Sequence, residues 1–279
     1  MQTNNRSGYC KSPVNIHRKG GFMNRGDFFK GVVQWDIMTP DMSLQGKLPV
    51  FYYDNTSMTA IYTAATDRVR KLLPLPDMHP VEAMVGRALV AFTAFEYRKT
   101  DIDPYNEFSI SFPITFRKKG IPGITVLGMM ARRYFTAYVW QLPVTTERAR
   151  RGGVEMYGYP KFCADITFAK ENGMLVCRLS EGGKSILTLK GQQLKTAAEK
   201  VNRFKTYSLK NGVPLAANVY MNPVEFGKSM SGKAAKLTLG NHDIAGQLRE
   251  IKLSEKPLFY QYMPVMEAIL FGARNLIDD

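Results

Sequence analysis

The sequence predicts an α+β fold that is mainly β: a curved antiparallel sheet closing into a barrel or cone around a central cavity, with short peripheral helices. Three observations point there. Sixteen Phe and fourteen Tyr suit pleated, half-buried strands better than a helical bundle. Residues 107–116 alternate strictly, with Phe108, Ile110, Phe112, Ile114 and Phe116 on one side and Glu107, Ser109 and Ser111 on the other. Turn signals recur at short intervals, and helical stretches are brief.

The elements follow in order. Residues 1–46 have scattered glycines and few periodic apolar positions, so they are expected to form an arm or strap beside a single domain of residues 47–279. Residues 48–53 and 58–65 read as two strands separated by a turn at Asp54-Asn55. Thr66 is placed to cap a short helix ending at Leu73, with Asp67 in its first turn and Pro74 stopping it. Residues 85–97, rich in Val, Phe, Ala and Leu, read as a strand, with a helix as the alternative. The alternating strand 107–116 follows, with Glu107 at its entrance. Residues 133–141 make another strand. Thr145 or Thr146 caps a short helix over 147–151, which Gly152-Gly153 ends. Asn172-Gly173 is a tight turn between strands 165–169 and 174–180, and residues 181–184 turn into a strand at 185–189. Gly182-Gly183 is no phosphate loop, because no helix follows it. Residues 236–239 and 258–270 carry mixed strand and helix signals, and no internal repeat is visible.

Composition limits the classes of function. The 279 residues, 45% hydrophobic, suffice for one large domain. No apolar run approaches the ~18 residues of a spanning helix, and the polar, basic N-terminal residues lack a signal peptide's apolar stretch. A soluble, cytoplasmic protein with no membrane partner is expected. Cys10, Cys163 and Cys177 are an odd set without a close pair, which argues against a disulfide framework. His17, His79 and His242 are far apart and no metal-ligand spacing exists, so neither metal nor other cofactor is expected. The net charge of +14 would attract anions, a small carboxylate or a nucleic acid among them. Its clusters at Arg117-Lys118-Lys119, Arg132-Arg133 and residues 148–151 lack interleaved aromatic residues, so they read as solvated faces and nucleic acid is not the expected partner.

The segment GVEMYGYPKFCAD, residues 153–165, carries the chemistry. Lys161 lies among Tyr157, Tyr159 and Phe162. Loss of water around an amine favours its neutral form, which is a nucleophile able to form a Schiff base with a carbonyl. Read as an extended strand, the segment places Val154, Met156, Gly158, Pro160 and Phe162 on a core face, and Glu155, Tyr157, Tyr159, Lys161 and Cys163 on the other. The alternative is an exposed strand face with a snorkelling lysine. Cys163 reads as a small buried hydrophobe rather than a catalytic thiol.

The run Gly153, Glu155, Tyr159, Pro160, Lys161 resembles the active-site segment of the acetoacetate decarboxylase family. Residues 70–76, RKLLPLP, look like that family's basic helix ending in prolines, Tyr105-Asn106-Glu107 resembles its Tyr-x-Glu, and the spacing of residues 237–276 is similar to its last strands. The resemblance covers roughly residues 48–276. It implies a closed β core, a homo-oligomer, and a small keto acid as substrate. By resemblance Lys161 is the nucleophile and Glu107 the carboxylate that moves protons near the imine. Tyr105, Tyr157, Tyr159, Glu155 and Phe92 are the implied pocket wall. Activation of the nucleophilic lysine by a neighbouring cation is an established property of acetoacetate decarboxylase; here Phe162 occupies the position of that family's second lysine.

Two further departures bear on chemistry. The family's arginine before the basic helix falls near Tyr62, Thr63 and Ala64, and residues 88–94 lack the family's second glutamate. Decarboxylation through an enamine remains the expected reaction, and a second Schiff-base chemistry, aldol condensation of a keto acid with an aldehyde followed by dehydration, is the alternative that these departures favour. Phe92 and Phe162 suggest a pocket suited to a larger or aromatic keto compound. A non-enzymatic binder of anionic ligand or polymer is the competing class.

Overall fold

The alternation of residues 107–116 belongs to the wall of a closed barrel. The structure is a computed structural model, and it describes residues 23–39, 41 and 44–277. Cys10, His17 and the first 22 residues of the expected arm lie outside the described residues. In chain order the elements are β1 (Trp35–Met38), β2 (Gln45–Leu48), β3 (Val50–Ala65), α1 (Thr66–Lys71), β4 (Met78–Pro80), β5 (Glu82–Met84), β6 (Arg87–Thr100), β7 (Tyr105–Phe116), α2 (Ile124–Arg132), β8 (Tyr134–Gln141) and α3 (Glu147–Tyr157). There follow β9 (Asp165–Glu171), β10 (Met174–Glu181), β11 (Lys184–Gln192), β12 (Asn202–Lys210), β13 (Val213–Ser229), β14 (Ala235–Leu239), α4 (Asp243–Glu250), β15 (Phe259–Leu270) and β16 (Arg274–Asn275).

The barrel runs β7-β8-β12-β13-β15-β3-β6 and closes through β6 against β7. Its pairs are antiparallel except β8 with β12, which is parallel. The expected sheet was antiparallel throughout. A parallel pair needs a long crossover, and here α3 and the hairpins β9 to β11 supply it. A second sheet, ordered β14-β11-β10-β9, covers the outside of the barrel. Between them lies a core of Met58, Tyr62, Phe92, Phe108, Ile110 and Phe112 from the barrel with Val176's neighbours Leu175 and Cys177, and Leu187 and Leu189, from the cover. A second core, containing Tyr52, Phe95, Tyr97, Tyr105, Val144, Tyr157 and Met266, lies on the other side of the barrel wall.

Several local expectations change. Asp54-Asn55 is no turn: β3 runs through it as one strand of 16 residues, with register shifts at Asp54 and Asn55. A bulge serves here because Asn55 Nδ2 donates to the Met266 carbonyl at 3.0 Å while Asp54 takes a two-point contact from Arg98, so both residues are held within the sheet. The bulge also switches faces: Val50 and Tyr52 belong to the inner core, Met58, Ala60 and Tyr62 to the outer one. Thr66 does not cap α1; Ala65 holds the cap position and Thr66 Oγ1 donates to Glu82 Oε1 at 2.6 Å. Helix α2 has no counterpart among the expected elements, and it buries none of its residues. Residues 258–270 resolve as β15. Asn172-Gly173 and Gly182-Gly183 do turn the hairpins, each with positive φ. Near the N-terminus, β1 and β2 pair as a hairpin, and the Gly26 amide donates to the buried Glu267 carboxylate at 2.7 Å. No helix among the described residues is long and apolar enough to cross a membrane.

Candidate active site

Helix α3 begins where Thr146 Oγ1 accepts a hydrogen bond from the Ala149 amide, and it ends at Gly158, whose φ of 60° makes a left-handed cap. It runs straight through Gly152-Gly153. Each glycine in a helix costs about 0.5–1 kcal/mol relative to alanine, and at Gly153 the reason is steric. A Cβ there would come within 2.5 Å of Lys161 Cε and 3.2 Å of Nζ. The missing side chain is the slot in which the lysine lies.

After Gly158 the chain doubles back over the helix. The Tyr159 amide donates to the Gly153 carbonyl at 3.2 Å. The Leu142 and Val144 amides donate to Pro160 and Phe162, and the Ala164 amide returns a bond to Val144. On its other flank the same stretch meets β7: Phe108 donates to Pro143, Thr145 donates to Asn106, and Val144 bridges Glu107. Residues 142–145 are thus a spacer that brings Lys161 and Glu107 together.

Lys161 Nζ lies 2.7 Å from Glu107 Oε2, and the two side chains are only 6% and 9% exposed. The ammonium also sits 5.5 Å from the centre of the Tyr105 ring. The second Glu107 oxygen accepts from Tyr97 Oη at 3.2 Å, and Tyr52 and Tyr105 approach through their hydroxyls at 3.4 Å. Burial, and next the negative charge of Glu107, push the phenols of Tyr52, Tyr97 and Tyr105 far above the ordinary tyrosine range. They therefore remain protonated donors at neutral pH, which leaves Glu107 as the proton acceptor beside the amine.

A cavity of about 60 Å³ opens onto Lys161. Its walls come from α3 (Ala149, Gly152, Gly153, Met156, Tyr157), from Tyr159, Tyr52, Asp101 and Leu270, and from the β1–β2 hairpin (Ile37, Leu44, Lys47, Leu48). The hairpin is tied to the helix by Arg151 on Asp41 at 3.1 Å, and Arg148 on α3 pairs with Asp103 at the rim. A space this size holds a small ligand group or ordered water.

The structure brings together Lys161, Glu107, Tyr105, Tyr157 and Tyr159, and it leaves out Glu155, Phe92 and Cys163. Residues 153–157 are helical, not extended, so Glu155 is turned about 200° from Gly153, and its carboxylate pairs with Lys210 at 3.0 Å. Phe92 has the opposite parity on β6 from Phe95 and Tyr97; it lies fully buried in the outer core, edge-on to Tyr62 at 5.7 Å. Cys163 is exposed rather than buried, its thiol near Glu147 Oε2, and partial loss of water around the sulfur, then that carboxylate, raise its pKa. Phe162 turns away from Lys161 and packs against the outer core. Sequence reasoning missed Tyr97 and Tyr52, and it missed what Gly153 does. Tyr97 was legible: it pairs in register with Tyr105, two residues before Glu107. Gly153 was read as a helix terminator.

A sequence model of the acetoacetate decarboxylase family matches residues 38–265. No curated protein sequence matches the chain. Among solved structures, an acetoacetate decarboxylase superposes with a TM-score of 0.59 at 16% identity, covering 91% of this chain and 98% of that one. The acetoacetate decarboxylase of Legionella pneumophila gives 0.59 at 14% identity, with 82% and 88% covered. The enduracididine biosynthesis enzyme MppR, in complex with the condensation product of pyruvate and imidazole 4-carboxaldehyde, gives 0.58 at 13% identity, with 88% and 98% covered.

Proposed function

The chain belongs to the acetoacetate decarboxylase family, and on that premise we propose that it is a carbon–carbon lyase that forms a Schiff base between Lys161 and a small keto acid and decarboxylates it through an enamine. The observation that carries the proposal is the buried 2.7 Å contact between Lys161 Nζ and Glu107 Oε2. Glu107 takes the ammonium proton, and the free amine attacks the keto carbon. The carbinolamine loses water to give an iminium. The bond to the carboxylate carbon then breaks, its electron pair moves into the iminium, and carbon dioxide and an enamine result. Glu107 returns a proton towards the enamine carbon, and water releases the ketone and the amine. The aromatic surround keeps bulk water from the imine while this happens.

A second Schiff-base chemistry, aldol condensation and dehydration, has its own support. The strand stretch 88–94 offers no acid, the candidate arginine position near Tyr62 faces the outer core, and the related MppR structure holds a condensation product. Two measurements decide. Borohydride added during incubation with a β-keto acid should leave a reduced adduct on the Lys161 peptide; no adduct across a panel of carbonyl compounds ends the lysine chemistry. Product analysis then separates carbon dioxide plus ketone from a condensed unsaturated acid.

We propose further that the protein is a homo-oligomer. The residues Ile121, Ile124, Leu127 and Met130 on and before α2, with Met84 and Val85 near it, are all exposed, and an apolar patch of this kind suits a second copy of the chain. Leu127→Glu should lower the sedimenting mass; an unchanged mass, or a monomeric wild type, excludes this face.

A further inference from the structure

Of the three tyrosines that line the cavity at Lys161, two have hydroxyl partners: Tyr52 meets Tyr105 at 3.4 Å and Tyr159 meets Thr206 at 2.6 Å. The third, Tyr157, is 4% exposed, and its buried hydroxyl has no hydrogen-bond partner among the described residues. A buried donor left without a partner is destabilising, and native structures rarely keep one without a use. Phe would fill the same volume without that cost.

Helix geometry sets where this donor lies. Gly153 and Tyr157 are four residues apart on α3, so they share one face. Lys161 lies against Gly153, so Tyr157 stands one turn along from the amine. Its ring is held in place by stacking on Tyr159, with centroids 5.2 Å apart and planes within 6°. The wall around it includes the aliphatic side chains of Ile37, Leu44, Leu48, Met156 and Leu270, and the exposed Lys47 and Arg148 and the hydrogen-bonded Asp101 also line the cavity. Burial pushes the Tyr157 phenol far above its ordinary range, so the hydroxyl stays a donor at neutral pH.

We infer that the Tyr157 hydroxyl donates the hydrogen bond that holds the carboxylate of the keto acid while its carbonyl carbon is bonded to Lys161. This deepens the Schiff-base function and rests on it. A donor one helical turn from the amine reaches an oxygen close to the reacting carbon, and in a keto acid that oxygen belongs to the carboxylate. A neutral phenol orients the carboxylate without neutralising it. Where the remaining charge faces the aliphatic part of the wall, the carboxylate is disfavoured and its departure as carbon dioxide is favoured. The phenol adds a fixed, buried donor to a cavity whose cations, Lys47 and Arg148, are exposed, Arg148 being paired with Asp103.

The test compares the wild type with Tyr157→Phe on a β-keto acid and on the neutral ketone that lacks its carboxylate. Removing one hydrogen bond to a charged group should raise KM for the acid on the order of tenfold to a hundredfold. Borohydride trapping of the neutral ketone on Lys161 should fall less than trapping of the acid, since the ketone has no carboxylate for the hydroxyl to hold. The thermal midpoint should stay level or rise, because an unsatisfied hydroxyl has gone. A wild-type adduct combined with an unchanged KM for the acid in Tyr157→Phe, or with equal losses on acid and ketone, overturns the role of Tyr157 alone. Absence of any adduct in the wild type overturns the lysine chemistry and the Tyr157 contact together.

Discussion

The slot at Gly153 makes a sharp test of the site. In Gly153→Ala the new Cβ would lie 2.5 Å from Lys161 Cε, whereas carbon atoms rest at ~3.5–4.0 Å. One of the two must move by about 1 Å. The helix is fixed by the Thr146 cap, the Gly158 cap and the burial of Ala149 and Tyr157, so the flexible lysine moves. Displacement by about 1 Å in a reacting group can lower the rate roughly 100-fold. Stability responds to two opposed effects. Alanine in a helix gains about 0.5–1 kcal/mol over glycine, while a Glu107 left buried without its cation would cost about 3–5 kcal/mol if nothing else compensated. The expected protein is folded, less stable by no more than a few kcal/mol, and slow at forming the imine. Single-turnover borohydride trapping with a β-keto acid, read beside a thermal melt, measures both. Wild-type trapping rates in a folded Gly153→Ala protein would refute the reasoning, because the lysine would then not need the slot.

Other outcomes follow from the same geometry. Glu107→Gln keeps an acceptor for Tyr97 but loses the proton acceptor, so imine formation should fall on the order of 100- to 10,000-fold; a change under about threefold would mean that another group takes the proton. Phe92→Ala opens a cavity in the outer core and should cost about 3–5 kcal/mol in denaturant unfolding, with trapping by the folded fraction unchanged; a selective loss of trapping at full stability would return Phe92 to the site. The hydrogen bonds from Arg98, ahead of its charge, hold the Asp54 carboxyl below its usual range. A lowered folded-state pKa contributes stability that is complete above the unfolded value of ~3.9 and fades as pH falls through the folded value. Arg98→Gln should therefore lower stability at about pH 6, and the gap to the wild type should close below about pH 4; a gap that stays constant into acid would exclude the ion pair as its source.

How far local signals reached differs from element to element. The parity of β7 placed Glu107 opposite Phe108 and Ile110, and the fold kept that parity because an alternating strand has only one way to bury its apolar side. The same rule applied to β6 would have turned Phe92 away from the site and Tyr97 towards it. Residues 153–157 failed for a different reason. Two glycines look like a helix end, and an aromatic, β-tolerant run looks extended. The helix persists there because its far cap at Gly158, its buried stripe and the Tyr159 amide bond to Gly153 outweigh a cost of about 1 kcal/mol per glycine.

The amino-acid pattern by itself determined the β-rich barrel, its turns at Asn172-Gly173 and Gly182-Gly183, and the presence of one lysine among phenols. Those features depend on residues within a few positions of one another, where propensity and alternation act. The tertiary structure alone decided that Lys161 meets a carboxylate 54 residues earlier in the chain, that β8 and β12 run parallel, and that the N-terminal hairpin roofs the cavity. Each of these joins segments distant in sequence through the 142–145 spacer, a long crossover or a folded-over strap, and such pairings are selected by the burial of whole faces, a quantity that no short window of sequence contains.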